Sequence, residues 1–295
     1  MDGGRRTADG GRRTIDGRRQ TVGEKFEVSG TMGRLSDRIV IVTGAGSAGP
    51  GWGNGKAAAA LFAREGAAVF AVDVNEAASR ETAALIEAEG GRCVAHAADV
   101  SQAGQVEAAV ARCVREFGRI DVLHHNVGIV RVGGPVELSE ADWDRTQDVN
   151  VKSLYLTCKH VLPHMEAQGR GSIVAVSSVG GIRWTGIPYV AYAASKAAVL
   201  QFSQSVALQY ARRGIRCNAV VPGLIDTPLV RASLSNAYDG ASMDDILRLR
   251  HEQAPVGRMG DAWDVAYAAL FLACDESRYV TGTSIIVDGG LSARV

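Results

Sequence analysis

The sequence predicts an α/β fold: a single domain on a doubly wound parallel sheet of about seven strands, with helices on both faces. Two observations carry this. Short apolar runs recur at Ile39–Val42, Ala67–Val72, Cys93–Ala97, Ile120–Leu123, Ile173–Val176, Cys217–Val221 and Ser284–Val287. They are largely continuous rather than alternating, as in strands covered on both faces. Helix-forming stretches such as Lys56–Arg64, Glu76–Glu89 and Gln102–Phe117 lie between nearly all of them, and regular strand–helix alternation implies crossovers and parallel strands.

Composition narrows the class. The chain has 295 residues, 46% of them apolar and 22% charged, so it can bury a large core. Lys plus Arg and Asp plus Glu both total 32, for a net charge of +0, which argues against nucleic acid or an anionic membrane as a main partner. No apolar run reaches the roughly 18 residues of a membrane span. Cys93, Cys113, Cys158, Cys217 and Cys274 are scattered and odd in number, a pattern of reduced thiols rather than of disulfides or a zinc site, and the expected compartment is the cytoplasm. Residues 1–33 stand apart. The near-repeats DGGRRTA, DGGRRTI and DGRRQT begin at Asp2, Asp9 and Asp16. They read as a disordered Arg/Gly-rich extension or as a basic arm for polyanions, and the folded domain is expected over 34–295.

Taken in order, the first strand runs into Thr43-Gly44-Ala45-Gly46-Ser47-Ala48-Gly49-Pro50-Gly51-Trp52-Gly53-Asn54-Gly55. A glycine-rich turn entering a helix N-terminus brings backbone amides to a pyrophosphate. Gly44, Gly46 and Gly49 satisfy G-x-G-x-x-G literally, but Pro50, Gly51 and Gly53 would make a poor first helical turn. Gly44, Gly53 and Gly55 leave Asn54 as a cap. The second strand ends at Asp73, whose carboxylate suits ribose hydroxyls and repels a 2′-phosphate, favouring NAD over NADP. His124 and His125, adjacent on a strand, face opposite ways and read as structural, with no metal expected. The helical stretch 138–167 is expected to bend or restart at Pro163. After the strand Ile173–Val176 come Ser177 and Ser178, then a helix from about Val190 through Arg213. Tyr192 and Lys196 share one face of it, one turn apart. The nearby ammonium is expected to draw Tyr192 well below the ordinary phenol value of about 10.

A bare Tyr-x-x-x-Lys arises often by chance on helices. Ser178 at a strand end, followed by Tyr192-Ala193-Ala194-Ser195-Lys196, resembles the signature of the short-chain dehydrogenase/reductase family, and the likeness extends over roughly residues 34–295. It implies a Rossmann-like nucleotide-binding domain. The family's Thr-Gly-x-x-x-Gly-x-Gly pattern falls on Gly44, Gly53 and Gly55 in an enlarged loop that also offers Ser47. The resemblance assigns Asp99 and Val100 to the adenine, and Asn126 and Gly128 to the Asn-Asn-Ala-Gly position. It also assigns Pro222, Gly223, Ile225 and Thr227 to the nicotinamide, and residues 229–256 to a substrate lid. It makes Asn150, Ser178, Tyr192 and Lys196 the catalytic set, with Lys196 also on the nicotinamide ribose and Asn150 linking Lys196 to solvent through a water. Ser177 is the rival serine. A homo-oligomer, tetramer or dimer, is implied through helices near 154–165 and 191–213.

The expected activity is NAD-dependent interconversion of a secondary alcohol and a ketone, with Tyr192 as acid/base. An NADPH-dependent 3-oxoacyl-type ketoreductase and a non-catalytic nucleotide sensor are the alternatives. Val130, Arg131, Arg183, Trp184 and Tyr189 are expected at the substrate pocket, with Arg183 either meeting a substrate carboxylate or simply solvated.

Overall fold

The structure is a computed structural model, and it describes residues 1, 33–233 and 242–294. The chain divides into two units, Met1–Thr31 and Met32–Val295. The expected disordered extension falls almost wholly outside the described residues, as do Leu234 and Tyr238 of the expected lid.

Seven strands form one sheet among the described residues: β1 Ile39–Thr43, β2 Ala68–Asp73, β3 Arg92–Ala97, β4 Val122–His125, β5 Gly171–Val176, β6 Ile215–Pro222 and β7 Ser284–Val287. Their order is β3-β2-β1-β4-β5-β6-β7 and every neighbouring pair is parallel. The intervening helices are α1 Asn54–Arg64, α2 Glu76–Ala88, α3 Ala103–Phe117, α4 Glu140–Gln147, α5 Ser153–Gln168, α6 Val190–Tyr210, α7 Pro228–Ser233, α8 Met243–Gln253 and α9 Ala262–Ala273. All seven expected strands are present, most of them within two residues of the anticipated bounds.

Alternate residues of β1 serve two cores. Val40 and Val42 pack with α1, α2 and α9, while Ile39 and Ile41 pack with α3, α5 and α6. Ala57, Ala58, Ala59 and Ala60 are wholly buried, and such short side chains let α1 lie close between the sheet and α9. β1 and β4 are neighbours whose following helices leave to opposite faces, so their carboxyl ends open a crevice.

The helical stretch before β5 departs from expectation. α5 runs through Pro163, and the interruption lies at a π-turn, Asp148–Lys152. Pro163 is on the exposed side of α5, where water can serve the carbonyl that proline leaves unbonded. The π-turn carries Asn150, and such bulges recur at functional positions.

The end of the sheet opposite the crevice is tied by Asp121, only 3% exposed. Its carboxylate accepts from the Ile39 amide at 2.9 Å and from Arg119 at 2.7 and 2.8 Å, with Arg170 at 3.2 Å. Asp121→Ala orphans that buried amide and is expected to cost about 2 kcal/mol. Thermal unfolding should show a midpoint several degrees lower with secondary structure retained, and an unchanged midpoint would remove Asp121 from this role.

Candidate active site

A cavity of about 500 Å³ lies at the carboxyl ends of the strands. Among the expected nucleotide contacts, Gly44, Ser47, Gly53, Asn54, Asp73, Asp99, Val100, Asn126 and Gly128 line it, and so do Tyr192, Lys196, Pro222, Gly223, Ile225 and Thr227. Gly55 is one layer behind. A Cβ there would sit 1.9 Å from the Gly44 carbonyl oxygen and 2.6 Å from the Asn126 amide nitrogen, so only glycine lets α1 approach β1. α1 starts after Gly53, which supports the register Gly44, Gly53, Gly55. The expectation for Asn54 needs correction. Gly53 is the cap residue, and Asn54 is the first helical residue.

The freed Asn54 side chain bears on the ligand. Asn54 Oδ1 and Ser47 Oγ are buried without a hydrogen-bond partner among the described residues. Polar atoms are rarely left so. Set beside the N-terminus of α1, they fit a phosphate that a hydroxyl and a turned side-chain amide could reach. Asp73 accepts from the Gly46 amide and the Asn75 amide, both at 2.9 Å, which fixes its carboxylate at the cavity wall with acceptor capacity to spare. Asp99 is held below its usual range: burial opposes ionisation, but bonds from the Ser101 hydroxyl and amide and the charge of Arg145 outweigh it.

The candidate catalytic side chains meet in the same cavity. Ser178 Oγ accepts from the Gly180 amide at 3.2 Å and lines the cavity beside Tyr192, whose phenolate it favours. Ser177, by contrast, donates to the Lys196 carbonyl at 2.7 Å and is committed to holding α6. Lys196 Nζ donates to the Val176 carbonyl at 2.9 Å and lies 5.8 Å from the centre of the Tyr192 ring. Asn150 is wholly buried and outside the cavity lining. Its Oδ1 accepts from the Ile129 amide at 2.8 Å, and its Nδ2 donates to the Ile129 carbonyl at 3.0 Å and to Ser195 Oγ at 2.9 Å. Ser195 in turn donates to the Tyr192 carbonyl at 2.7 Å. The side chain of Asn150 thus ties the segment after β4 to the turn carrying Tyr192.

The expected drop in the Tyr192 pKa is not found. Burial pushes the phenol up to about 12, with Tyr189 adding to the rise and the Ser178 hydroxyl and the Arg250 charge opposing it. Burial also brings the Lys196 ammonium down to about 8. Both shifts disfavour the charged form in a poorly solvated site. Part of Tyr192 remains exposed, and water entering there moderates its shift.

The expected substrate residues divide. Val130 and Tyr189 line the cavity. Arg131, Arg183 and Trp184 do not: Arg131 pairs with Asp142 at 3.1 Å, Arg183 donates to the Arg294 carbonyl at 2.7 Å, and Trp184 is 75% exposed. The loop of Arg183 and Trp184 turns outward before Gly186, whose φ is 87°. Arg250 and Gln253 of α8 line the cavity instead. The available signal was helical spacing, which sets Arg250 one turn from the buried Ile246. The two histidines have separate surroundings: His125 lies between Thr43 at 2.9 Å and Ser153 at 3.0 Å, and His124 packs edge-on to Phe62. Burial lowers them to about 3 and about 4 respectively, so both are neutral.

Comparison with known proteins agrees with this architecture. The family model described as Enoyl-(Acyl carrier protein) reductase matches residues 49–292. An uncharacterized oxidoreductase of Thermotoga maritima is 39% identical over 87% of this chain and 98% of its own. The 3-oxoacyl-acyl-carrier-protein reductase FabG of the same organism is 41% identical over 88% and 99%. The crystal structure of a short-chain dehydrogenase/reductase from Burkholderia xenovorans superposes with a TM-score of 0.86 at 49% identity, covering 89% of this chain and 99% of that one. The chain belongs to the short-chain dehydrogenase/reductase family and is an oxidoreductase that uses a nicotinamide dinucleotide.

Gly55→Ala forces α1 away from Gly44. It is expected to cost about 2 kcal/mol through overpacking and to weaken dinucleotide binding about tenfold or more, read by thermal unfolding and by quenching of tryptophan fluorescence on titration. Wild-type values in both would show that the approach of α1 is not limiting.

Proposed function

We propose that this protein interconverts a secondary alcohol and a ketone with NAD as the hydride carrier. The observation that carries the reading is that Ser178, Tyr192 and Lys196 line one cavity with Asp73, the Lys196 ammonium 5.8 Å from the centre of the Tyr192 ring. Asp73, Ser47, Asn54 and the N-terminus of α1 would hold the dinucleotide, and Lys196 would reach its nicotinamide ribose. When bound, that cofactor accepts a hydride from an alcohol or supplies one to a ketone. Ser178 orients the substrate oxygen by a hydrogen bond. Tyr192 takes the hydroxyl proton in oxidation and returns it in reduction. Asn150 acts by positioning, holding the segment around Ile129 against α6. The carboxylate of Asp73 is expected to disfavour a 2′-phosphate.

A second reading, an NADPH-dependent reduction of 3-oxoacyl thioesters, draws on the 41% identity to FabG. The acidic Asp73, followed by Val74 rather than a basic residue, favours NAD. We also propose that the protein works as a homo-oligomer in the cytoplasm. Exposed Tyr155 on α5 and Leu208 on α6 suit a helix-mediated interface, and the five free, buried cysteines suit a reducing compartment. Light scattering behind size exclusion should give a dimer or tetramer, and a monomer would refute the interface.

The activity test is NAD reduction across a panel of secondary alcohols, with NADP and Tyr192→Phe in parallel. The variant is expected to lose about a hundredfold or more in kcat with NAD affinity little changed, and retained turnover would exclude Tyr192 as the acid/base. The proton inventory fixes the sign of the pH dependence. With Tyr192 raised to about 12, its base form grows about tenfold per pH unit below that value. The kcat/KM for oxidation should therefore climb through the alkaline range while that for reduction stays level. An oxidation profile level from neutral to alkaline pH would contradict the assignment.

A further inference from the structure

The two buried histidines of β4 are not alike. His124 packs against Phe62 with both ring nitrogens lacking a hydrogen-bond partner among the described residues. His125 has hydroxyls on both edges of its ring. Its Nδ1 lies 2.9 Å from Thr43 Oγ1 at the end of β1 and 3.3 Å from Thr157 Oγ1. Its Nε2 lies 3.0 Å from Oγ of Ser153, the residue that opens α5 directly after the π-turn. All three hydroxyl residues are buried.

The hydroxyl protons dictate the tautomer of this ring, since each hydroxyl has one proton to give. Ser153 donates to the Val149 carbonyl at 2.5 Å, so its oxygen accepts from His125. Thr157 donates to the carbonyls of Ser153 and Leu154, each at 3.0 Å. Nδ1 is left as the acceptor for Thr43, and the ring proton sits on Nε2. The Ser153–Val149 bond belongs to the π-turn. In a regular helix the Ser153 amide would serve the carbonyl four residues back, that of Val149. Here the amide reaches one residue further, to Asp148, and the Ser153 hydroxyl takes its place on Val149. The bond from Nε2 fixes that hydroxyl. The turn so held carries Asn150, which joins Ile129 to Ser195 at 2.8 and 2.9 Å, and Ser195 holds the Tyr192 carbonyl at 2.7 Å.

We propose that His125 is a positioning residue for the reaction: through its Nε2–H bond to Ser153 it holds the π-turn in the register that aims Asn150 at Ser195, and so sets Tyr192 against the substrate oxygen. This rests on the function proposed above. An imidazole suits the task because its donor and acceptor lie on opposite edges, whereas a carboxamide carries both at one end and serves one neighbour. Glutamine brings its amide nitrogen near the place of Nε2, and asparagine near that of Nδ1. The two substitutions therefore separate the contact with Ser153 from the contact with Thr43.

The test uses the full-length chain. In wild-type protein carrying isotopically labelled histidine, nitrogen–proton correlations at neutral pH should show the His125 ring with its proton on Nε2, its signals being those lost in His125→Gln. A proton on Nδ1, or on both nitrogens, would overturn the proposal. With NAD and the best alcohol of the panel, His125→Gln should keep kcat within about threefold, while His125→Asn and Ser153→Ala should each lose about tenfold or more. KM for the alcohol, and NAD affinity read by tryptophan quenching, should change little. Equal kcat in His125→Gln and His125→Asn, wild-type kcat in Ser153→Ala, or a loss confined to KM and NAD affinity would overturn it. Crystal structures of both histidine variants separate this proposal from the activity it serves. A π-turn kept in His125→Gln and lost in His125→Asn, without turnover of any alcohol by the wild type, would uphold the hold of His125 on the turn and refute the proposed function. A π-turn kept in both would overturn the proposal whatever the turnover.

Discussion

The backbone of α1 meets the backbone of β1 at a distance that admits no side chain. Gly55 lies against the Gly44 carbonyl, which also accepts from the Asn126 side chain at 3.1 Å. That contact sets the N-terminus of α1 over the crevice between β1 and β4, where its free amides and dipole favour an anion. It also dictates how the enlarged loop must run. Between Gly44 and Gly53 the chain detours outward and returns through Trp52, which packs on Trp263 of α9 with ring centres 4.7 Å apart. Lys56 lies 5.2 Å from the centre of the Trp52 ring and pairs with Glu81 at 2.5 Å. The detour is therefore anchored. Gly49 and Gly51 come up to Pro228 at the start of α7, joining the glycine-rich turn to a helix whose Leu229 and Val230 line the cavity.

The opposite wall depends on a different device. The π-turn at Asp148–Lys152 points the amide of Asn150 at both the backbone of Ile129 and the Ser195 hydroxyl. A regular helix through this region would have aimed that amide elsewhere. With Ser177 bonded to the Lys196 carbonyl, the first turn of α6 is fixed from two sides. The same burial that fixes it governs the protons. Low solvation raises the phenol and lowers the ammonium, so at neutral pH the pair is a phenol beside a still protonated amine. On the proposed function this form donates a proton, and oxidation would draw on the small fraction of phenolate.

Much of this was legible from residues alone. The strands were readable because β1 and β4 are buried along their whole length and β5 at every residue after Gly171, so apolar runs had no alternation to obscure them. Ser178 over Ser177, and Gly53–Gly55 over Gly46–Gly49, followed from spacing and from where a helix can begin. The misses share a cause. Asn54 is a good cap in isolation, but the tertiary approach of α1 shifts the cap to Gly53 and reserves Asn54 for the cavity. Pro163 breaks helices whose carbonyls have no other partner, and on an exposed face water is the partner. Trp184 and Arg183 lie near the catalytic residues in sequence, yet a single outward loop removes them from the cavity. Arg250 lies far from Tyr192 in sequence and reaches the cavity through the docking of α8; helical spacing from Ile246 marks its face of the helix but not what that face meets.

The cavity is polarised along its length. Asp73 leaves one end acidic, Asp99 beside it being paired with Arg145 at 3.5 Å, and the other end carries Lys196 and Arg250. In a chain of zero net charge this separation is local, and it matters most where solvent is scarce and Coulombic terms are strong. On the proposed function, the carboxylate of Asp73 would disfavour a 2′-phosphate by repulsion. Arg250 bears on this chemistry from far away in sequence. Its charge favours the phenolate of Tyr192, so the acid strength of Tyr192 answers to the seating of α8 at the cavity as well as to burial. On the proposed function, that pull opposes the rise that burial imposes and enlarges the share of phenolate on which oxidation would draw.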